Sequence, residues 1–301
     1  MELFRHFVAK IVNVFKKKQC SRQKFAEIMY FCIRKGEIYL FSMRIVLIGA
    51  GNLATHLGKA LCDAHHEVLQ VYSRTISHAQ TLADTLHAQY TDSSAQLLKD
   101  AECYVFAVKD QVLPSIIKEV WGMHVNPSAL FVHTAGSIPL NVFPEEINSY
   151  GVLYPMQTFS KQREVDFTHI PVFVEGNNDE TLKRLEVLAK SISQSVYRLS
   201  SADRRYLHLS AVWACNFANH CYDIASRMLD HIGVPFDVML PLIDETARKV
   251  HELSPKDAQT GPAVRYDEHV MNAQLELMKG QPMLQDIYRQ LSQSIHERAE
   301  E

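Results

Sequence analysis

The 301 residues carry a net charge of −3, with 47% hydrophobic and 22% charged residues. That balance is the one of ordinary globular chains, and it gives no overall pointer to nucleic acid or a membrane surface as partner. The length suits two domains of roughly 100–200 residues each, and no apolar run reaches the roughly 20 residues of a membrane span.

Residues 1–42 differ from the rest, holding nine Lys/Arg against three Glu, whereas residues 43–301 hold 22 against 31 acidic ones. Phe4, Phe7, Val8, Ile11, Val12 and Phe15 recur at helical spacing before Lys16-Lys17-Lys18. This extension reads either as a basic amphipathic helix or as sequence upstream of a true start at Met43.

From Met43 strands and helices alternate. Arg44–Ile48 is a continuous apolar run of the kind buried in a parallel sheet, and Leu53, Leu57, Ala60, Leu61 and Ala64 share one helical face. Val68–Tyr72, Cys103–Val108 and Leu130–His133 are further predicted strands. Gly151–Leu153, Val172–Glu175 and Val196–Leu199 extend the sheet, and Leu182, Leu185, Leu188 and Ile192 mark a helix. The predicted fold class is α/β: a Rossmann-type, mainly parallel sheet over 43–200, followed by an all-α domain over 201–301. Residues 203–231 lack Gly and Pro and are apolar nearly all round, which predicts a helix buried in a helical domain or a dimer. Helices at 237–252, 266–279 and after Pro282 complete the chain.

Six cysteines (Cys20, Cys32, Cys62, Cys103, Cys215, Cys221) form no CxxC pair. They are expected as free thiols of a reducing, cytoplasmic compartment. Fifteen histidines contain no HExxH, and no metal is expected.

Gly49-Ala50-Gly51-Asn52-Leu53-Ala54 follows a strand and opens a helix, as the dinucleotide fingerprint requires. Gly49 would allow the tight turn, Gly51 the approach of pyrophosphate, and the helix N-terminus would offer N–H groups and a positive dipole. An acidic residue that binds ribose is expected at the end of the second strand in NAD sites; here stands Ser73-Arg74-Thr75. A guanidinium suits a 2′-phosphate, so NADP is the expected cofactor. Val108 and Lys109, ending the third predicted strand, join this expected cofactor set.

These residues resemble the N-terminal domain of pyrroline-5-carboxylate reductases and deazaflavin-dependent NADP oxidoreductases. The remainder resembles their relatives whose C-terminal helical domain has no assigned function. The likeness rests on His133–Ser137, Tyr154-Pro155-Met156-Gln157-Thr158-Phe159, His208–Asn216 and Thr260–Asp267, and spans about 43–296. It implies the fold, the cofactor and a homodimer through the C-terminal helices. Two departures separate the chain from its better-known kin. It lacks the lysine that beta-hydroxyacid dehydrogenases place four residues before Asn216, where Val212 stands. It also lacks the Gly-Gly-Thr-Thr that follows Ser-Pro in pyrroline-5-carboxylate reductases.

Candidate substrate contacts are His133, Gly136 and Ser137, after a strand end, and Arg265 and Asp267, either a carboxylate clamp or a structural ion pair. Ser137 reads equally as a helix cap. His208 and Asn216 lie eight residues apart, about two helical turns, and hydride transfer to a carbonyl or imine needs a proton source that His can supply. They are the candidate catalytic residues, with a buried structural histidine as the alternative. The sequence thus predicts an NADP-dependent oxidoreductase acting on a small anionic carbonyl or imine compound in an interdomain cleft. The other readings are an NADP(H)-binding sensor without chemistry and a site for another anionic nucleotide.

Overall fold

The structure, a computed structural model, describes residues 42–301. The helix expected from the first 41 residues lies outside the described residues. The chain divides into two compact units, one ending at Ala218 and one spanning Asn219–Glu301.

The first unit is built on an eight-stranded sheet: β1 (Arg44–Ile48), β2 (Glu67–Tyr72), β3 (Gln89–Thr91), β4 (Cys103–Phe106), β5 (Leu130–His133), β6 (Tyr150–Pro155), β7 (Val172–Gly176) and β8 (Val196–Arg198). Their order is β3-β2-β1-β4-β5-β6-β7-β8. The first six run parallel, so their carboxyl ends share one edge, while β7 pairs antiparallel with β6 and carries β8 in its own direction.

Strands β4 and β5 are buried at every residue, because helices cover both faces. On one face Ile45, Leu47, Val105 and Val132 pack with α1 (Asn52–Asp63), α2 (Ile76–Leu86) and α4 (Asp179–Ile192). On the other, Val46, Ile48, Phe106 and Phe131 pack with α3 (Leu113–Gly122). Alternate residues of each strand thus feed separate cores, as the pleat dictates. The seven strands expected from the sequence are present. β3 was not anticipated, because Gln89-Tyr90-Thr91 is short, polar and exposed at two of its three positions.

Beyond the sheet come α5 (Ser201–Ala211), a π-helical turn (Val212–Phe217) and α6 (Ala218–His231). In the single chain much of this stretch is exposed, with Tyr206 at 75% and Trp213 at 57%. The residue that α5 does bury is the charged Arg204, at 1% exposure. Apolar periodicity misses such a contact because the buried group is held by an ion pair.

The second unit is all-helical. α6 closes on Gly233 (φ +70°), with the Val234 N–H donating to the Leu229 carbonyl, a helix-ending turn that glycine suits. α7 (Leu240–Glu252), α8 (Glu268–Leu277) and α9 (Pro282–Glu300) follow.

Candidate functional site

The carboxyl edge of the sheet is where ligands bind in open α/β folds, at the point where the strand order turns back, here between β1 and β4. Gly49 follows β1 with φ +123°, and a β-carbon on it would stand 2.1 Å from the Ala107 carbonyl oxygen. Both conformation and space therefore demand glycine. Its N–H donates to the Tyr72 carbonyl at 2.8 Å, binding this loop to the end of β2.

Gly51 differs. Its φ is −82°, and a β-carbon there would meet nothing within 4 Å. Neither strain nor internal packing calls for glycine, so the bare backbone leaves room for something approaching from outside. Gly51 caps α1 without a side-chain bond, and the first turn has no acidic residue. The N–H groups of that turn and its dipole remain available to a phosphate. Ala50 and Ala54 are buried, at 6% and 0%. Asn52 turns its side chain aside, donating to the Phe159 carbonyl at 2.8 Å in the loop after β6, so only its backbone is free for a ligand.

Ser73-Arg74-Thr75 follows β2, one residue beyond the Gly49–Tyr72 bond. Arg74 is exposed and makes no ion pair among the described residues, and the Thr75 N–H donates to Ser73 Oγ at 3.3 Å. Val108 lies beneath Gly49, its Cγ1 3.3 Å from where a β-carbon would be, and Lys109 is exposed beside it. Glycine turn, open helix terminus and free guanidinium together fit a dinucleotide carrying a 2′-phosphate.

A second cluster stands at the same edge, after β5 and β6. A β-carbon on Gly136 would come within 2.5 Å of His208 Nδ1 and 3.0 Å of Tyr154 Cε2. His208 Nδ1 is 3.0 Å from the hydroxyl of Tyr154, and the two rings meet edge to face. Burial pushes the Tyr154 phenol above its usual value and the charge of Arg204 pulls it down, the first effect being larger.

Arg204, one turn before His208, fixes α5 to this edge. Its guanidinium pairs with Glu175 on β7 and donates to the Ile138 carbonyl at 2.6 Å and to Ser201 Oγ at 3.2 Å. Ser201 donates through N–H and hydroxyl to the Glu175 carboxylate (2.9 and 2.6 Å) and accepts from the Leu140 N–H at 2.8 Å. Loop, strand and helix are thus tied by one buried network, which leaves only Arg204 Nε unpartnered.

Other expected residues fall differently. His133 is fully buried at 0%, its ring stacked on Phe143, and its Nδ1 accepts from the Ala135 N–H at 3.2 Å. Burial holds its pKa down to about 3, with the charge of Arg204 adding to the effect. It lies beneath the loop as a buried residue, its Nε2 without a hydrogen-bond partner among the described residues. Ser137 caps no helix, and its hydroxyl donates to the Asp110 carboxylate.

Asn216 is exposed within the π turn. In a plain α-helix eight residues leave two side chains about 80° apart, but a π turn absorbs one extra residue and brings Asn216 to within about 20° of His208. Arg265 and Asp267 belong to the second unit and make no ion pair with each other among the described residues. Arg265 is exposed, and Asp267 caps α8, accepting from the Val270 N–H at 3.2 Å.

Sequence reasoning assigned no role to Tyr154, Arg204, Glu175 or Asp110. Tyr154 lay in a segment singled out for its resemblance. Its position beside the loop after β5 depends on strand order, which no local pattern shows.

Residues 44–135 match the coenzyme F420-dependent NADP oxidoreductase family, and residues 170–295 match a domain of unknown function, DUF2520. A protein of Bacteroides fragilis assigned as an NADP oxidoreductase is 50% identical with a TM-score of 0.82, the match covering 85% of this chain and 98% of that one. A Thermotoga maritima protein is 20% identical with a TM-score of 0.70, covering 85% and 100%. The pyrroline carboxylate reductase of Plasmodium falciparum, solved with NADP bound, is 13% identical with a TM-score of 0.55, covering 84% and 98%. Among curated proteins none matches.

Proposed function

This chain belongs to the NADP oxidoreductases that join a coenzyme F420-dependent type of N-terminal domain to a DUF2520 domain, and on that premise we propose that it moves hydride between NADP(H) and a small, anionic carbonyl or imine substrate. The cofactor, when bound, supplies or accepts the hydride. The chain's own residues bind, orient and manage the proton. Gly49, Ala50 and Gly51, with the backbone of Asn52 and Leu53, receive the pyrophosphate. Ser73, Arg74 and Thr75 hold the 2′-phosphate, and Val108 and Lys109 line the rim.

His208 is the proton donor to the substrate oxygen or nitrogen, with Asn216 on its face of the helix as the orienting group. The observation that carries this reading is the position of His208, packed on Gly136 at the same sheet edge as the Gly49 loop. Imine or carbonyl chemistry on an anion draws on the likeness to pyrroline carboxylate reductases. Backbone N–H groups of Gly136 and Ser137, which donate to no described group, are suited to meet a negative oxygen.

Exposed Leu209, Trp213 and Phe217 support a homodimer through the helical segments, since apolar faces of this kind mark contact surfaces. Among the described residues no helix is long and apolar enough to cross a membrane, and Cys62, Cys103, Cys215 and Cys221 are free thiols, in keeping with a reducing compartment.

The test is turnover of NADPH against a panel of keto and imino acids by the native chain and by His208→Ala. A general acid contributes about 10²–10⁴-fold, so the variant should lose that much turnover and keep NADPH affinity. Unchanged turnover per folded molecule would remove His208 from the chemistry.

A further inference from the structure

We propose that Tyr154 is a positioning residue whose phenol oxygen accepts a hydrogen bond from His208 Nδ1–H, holding one proton on Nδ1 so that only Nε2 exchanges protons with substrate. The inference rests on the reading of His208 as the acid, and it follows from what such an acid must become. As the substrate carbon takes the hydride, its π electrons move to oxygen or nitrogen, which takes the Nε2 proton; the cofactor is left oxidised. His208 is then neutral, and its one remaining proton is on Nδ1.

That proton needs an acceptor. Nδ1 faces inward, against Gly136 and Tyr154, and the only polar atom that bonds it among the described residues is the Tyr154 hydroxyl, at 3.0 Å. A phenol can serve because its oxygen carries acceptor lone pairs besides the one hydrogen it donates. Tyr154 is 8% exposed and burial keeps its phenol un-ionised, so the Tyr154 side of the contact stays uncharged through the cycle. The arrangement matches the general rule that the hydrogen bond at one ring nitrogen decides what the other can do. Tyr154 is anchored for the role, lying on β6 with its ring 6.4 Å from that of Phe173.

The test is ¹⁵N NMR of the full chain, labelled at histidine and saturated with NADPH, above the pH at which His208 becomes neutral. The expected spectrum has the neutral ring protonated on Nδ1. Tyr154→Phe keeps the ring and removes the oxygen. It should shift His208 towards the Nε2–H tautomer and lower kcat roughly tenfold at unchanged KM for NADPH. A native His208 protonated on Nε2 overturns the proposal, as does a Tyr154→Phe spectrum identical to the native one. The native spectrum decides even if the variant does not fold, and it needs no substrate. An Nδ1–H ring in a chain that His208→Ala leaves fully active would uphold the Tyr154 bond and refute the acid role alone.

Discussion

Gly136 lies so close beneath the His208 ring that a β-carbon on it would stand 2.5 Å from Nδ1. Real β-carbons do not approach that closely, so the ring would have to move. Gly136→Ala should therefore displace the imidazole while leaving the glycine loop after β1 untouched. Misplacement of a reacting group by about 1 Å can cost about 10²-fold. Turnover should fall by up to that order, with NADPH affinity by fluorescence titration unchanged. A fully active Gly136→Ala would mean that the position of His208 is immaterial.

Arg74 makes no ion pair with any described residue, so its removal should cost the fold little. Hydrogen bonds to charged groups are worth about 1.5–3 kcal/mol, which converts to roughly 10–100-fold in affinity. Arg74→Ala should weaken NADPH by that factor and leave NADH nearly as before. Calorimetric titration of both cofactors checks it, and equal native affinities for the two would refute the role of Arg74.

Arg204 is 1% exposed and its partner Glu175 17%. Removing one member of a buried pair strands the other charge, typically at about 3–5 kcal/mol. Arg204→Ala should lower urea-unfolding stability by about that much. Arg204→Lys should recover only part, because a single ammonium cannot serve Glu175 and the Ile138 carbonyl in the same planar geometry. A loss below about 1 kcal/mol in the alanine variant would show that the network is dispensable.

Acid should destabilise the protein through two buried histidines. Desolvation lowers His66 to about 4 and His133 to about 3 from an ordinary 6.5. Below 6.5 the unfolded chain takes up protons that the folded one refuses, so stability falls as pH drops from 6.5 towards 3–4. Thermal midpoints across pH 7.5 to 4.5 should decline, and His66→Gln, which keeps a polar partner for the Met43 N–H, should flatten the decline. A midpoint that rises on acidification would contradict the assignment of both as neutral.

Much of this molecule is legible along the chain. The apolar run Arg44–Ile48, the turn at Gly49–Gly51 and the absence of an acidic residue at Ser73–Thr75 report on backbone, phosphate and cofactor through chemistry spaced over a few residues. A strand buried on both faces must be apolar throughout, and a backbone that must admit phosphate must be glycine, so sequence and consequence coincide there. β3, with Gln89 and Tyr90 facing out, has no such signature, and pairing with β2 alone makes it a strand.

The second cluster is another matter. Gly136, Tyr154, Arg204 and His208 come from a loop, a strand and a helix, and they meet because β5 and β6 are neighbours and Glu175 holds α5 at the sheet edge. Hydrophobic periodicity registers which faces leave water and is blind to a buried ion pair, so α5 reads as apolar while the group it buries is a guanidinium. His133 is a candidate substrate contact by its place at a strand end, and only the packing of β5 shows that its side chain is withdrawn from solvent. Local chemistry determined the cofactor end of this protein. The proposed proton-handling end was decided by tertiary structure, because its parts are brought within hydrogen-bond reach only by strand order and a desolvated charge pair.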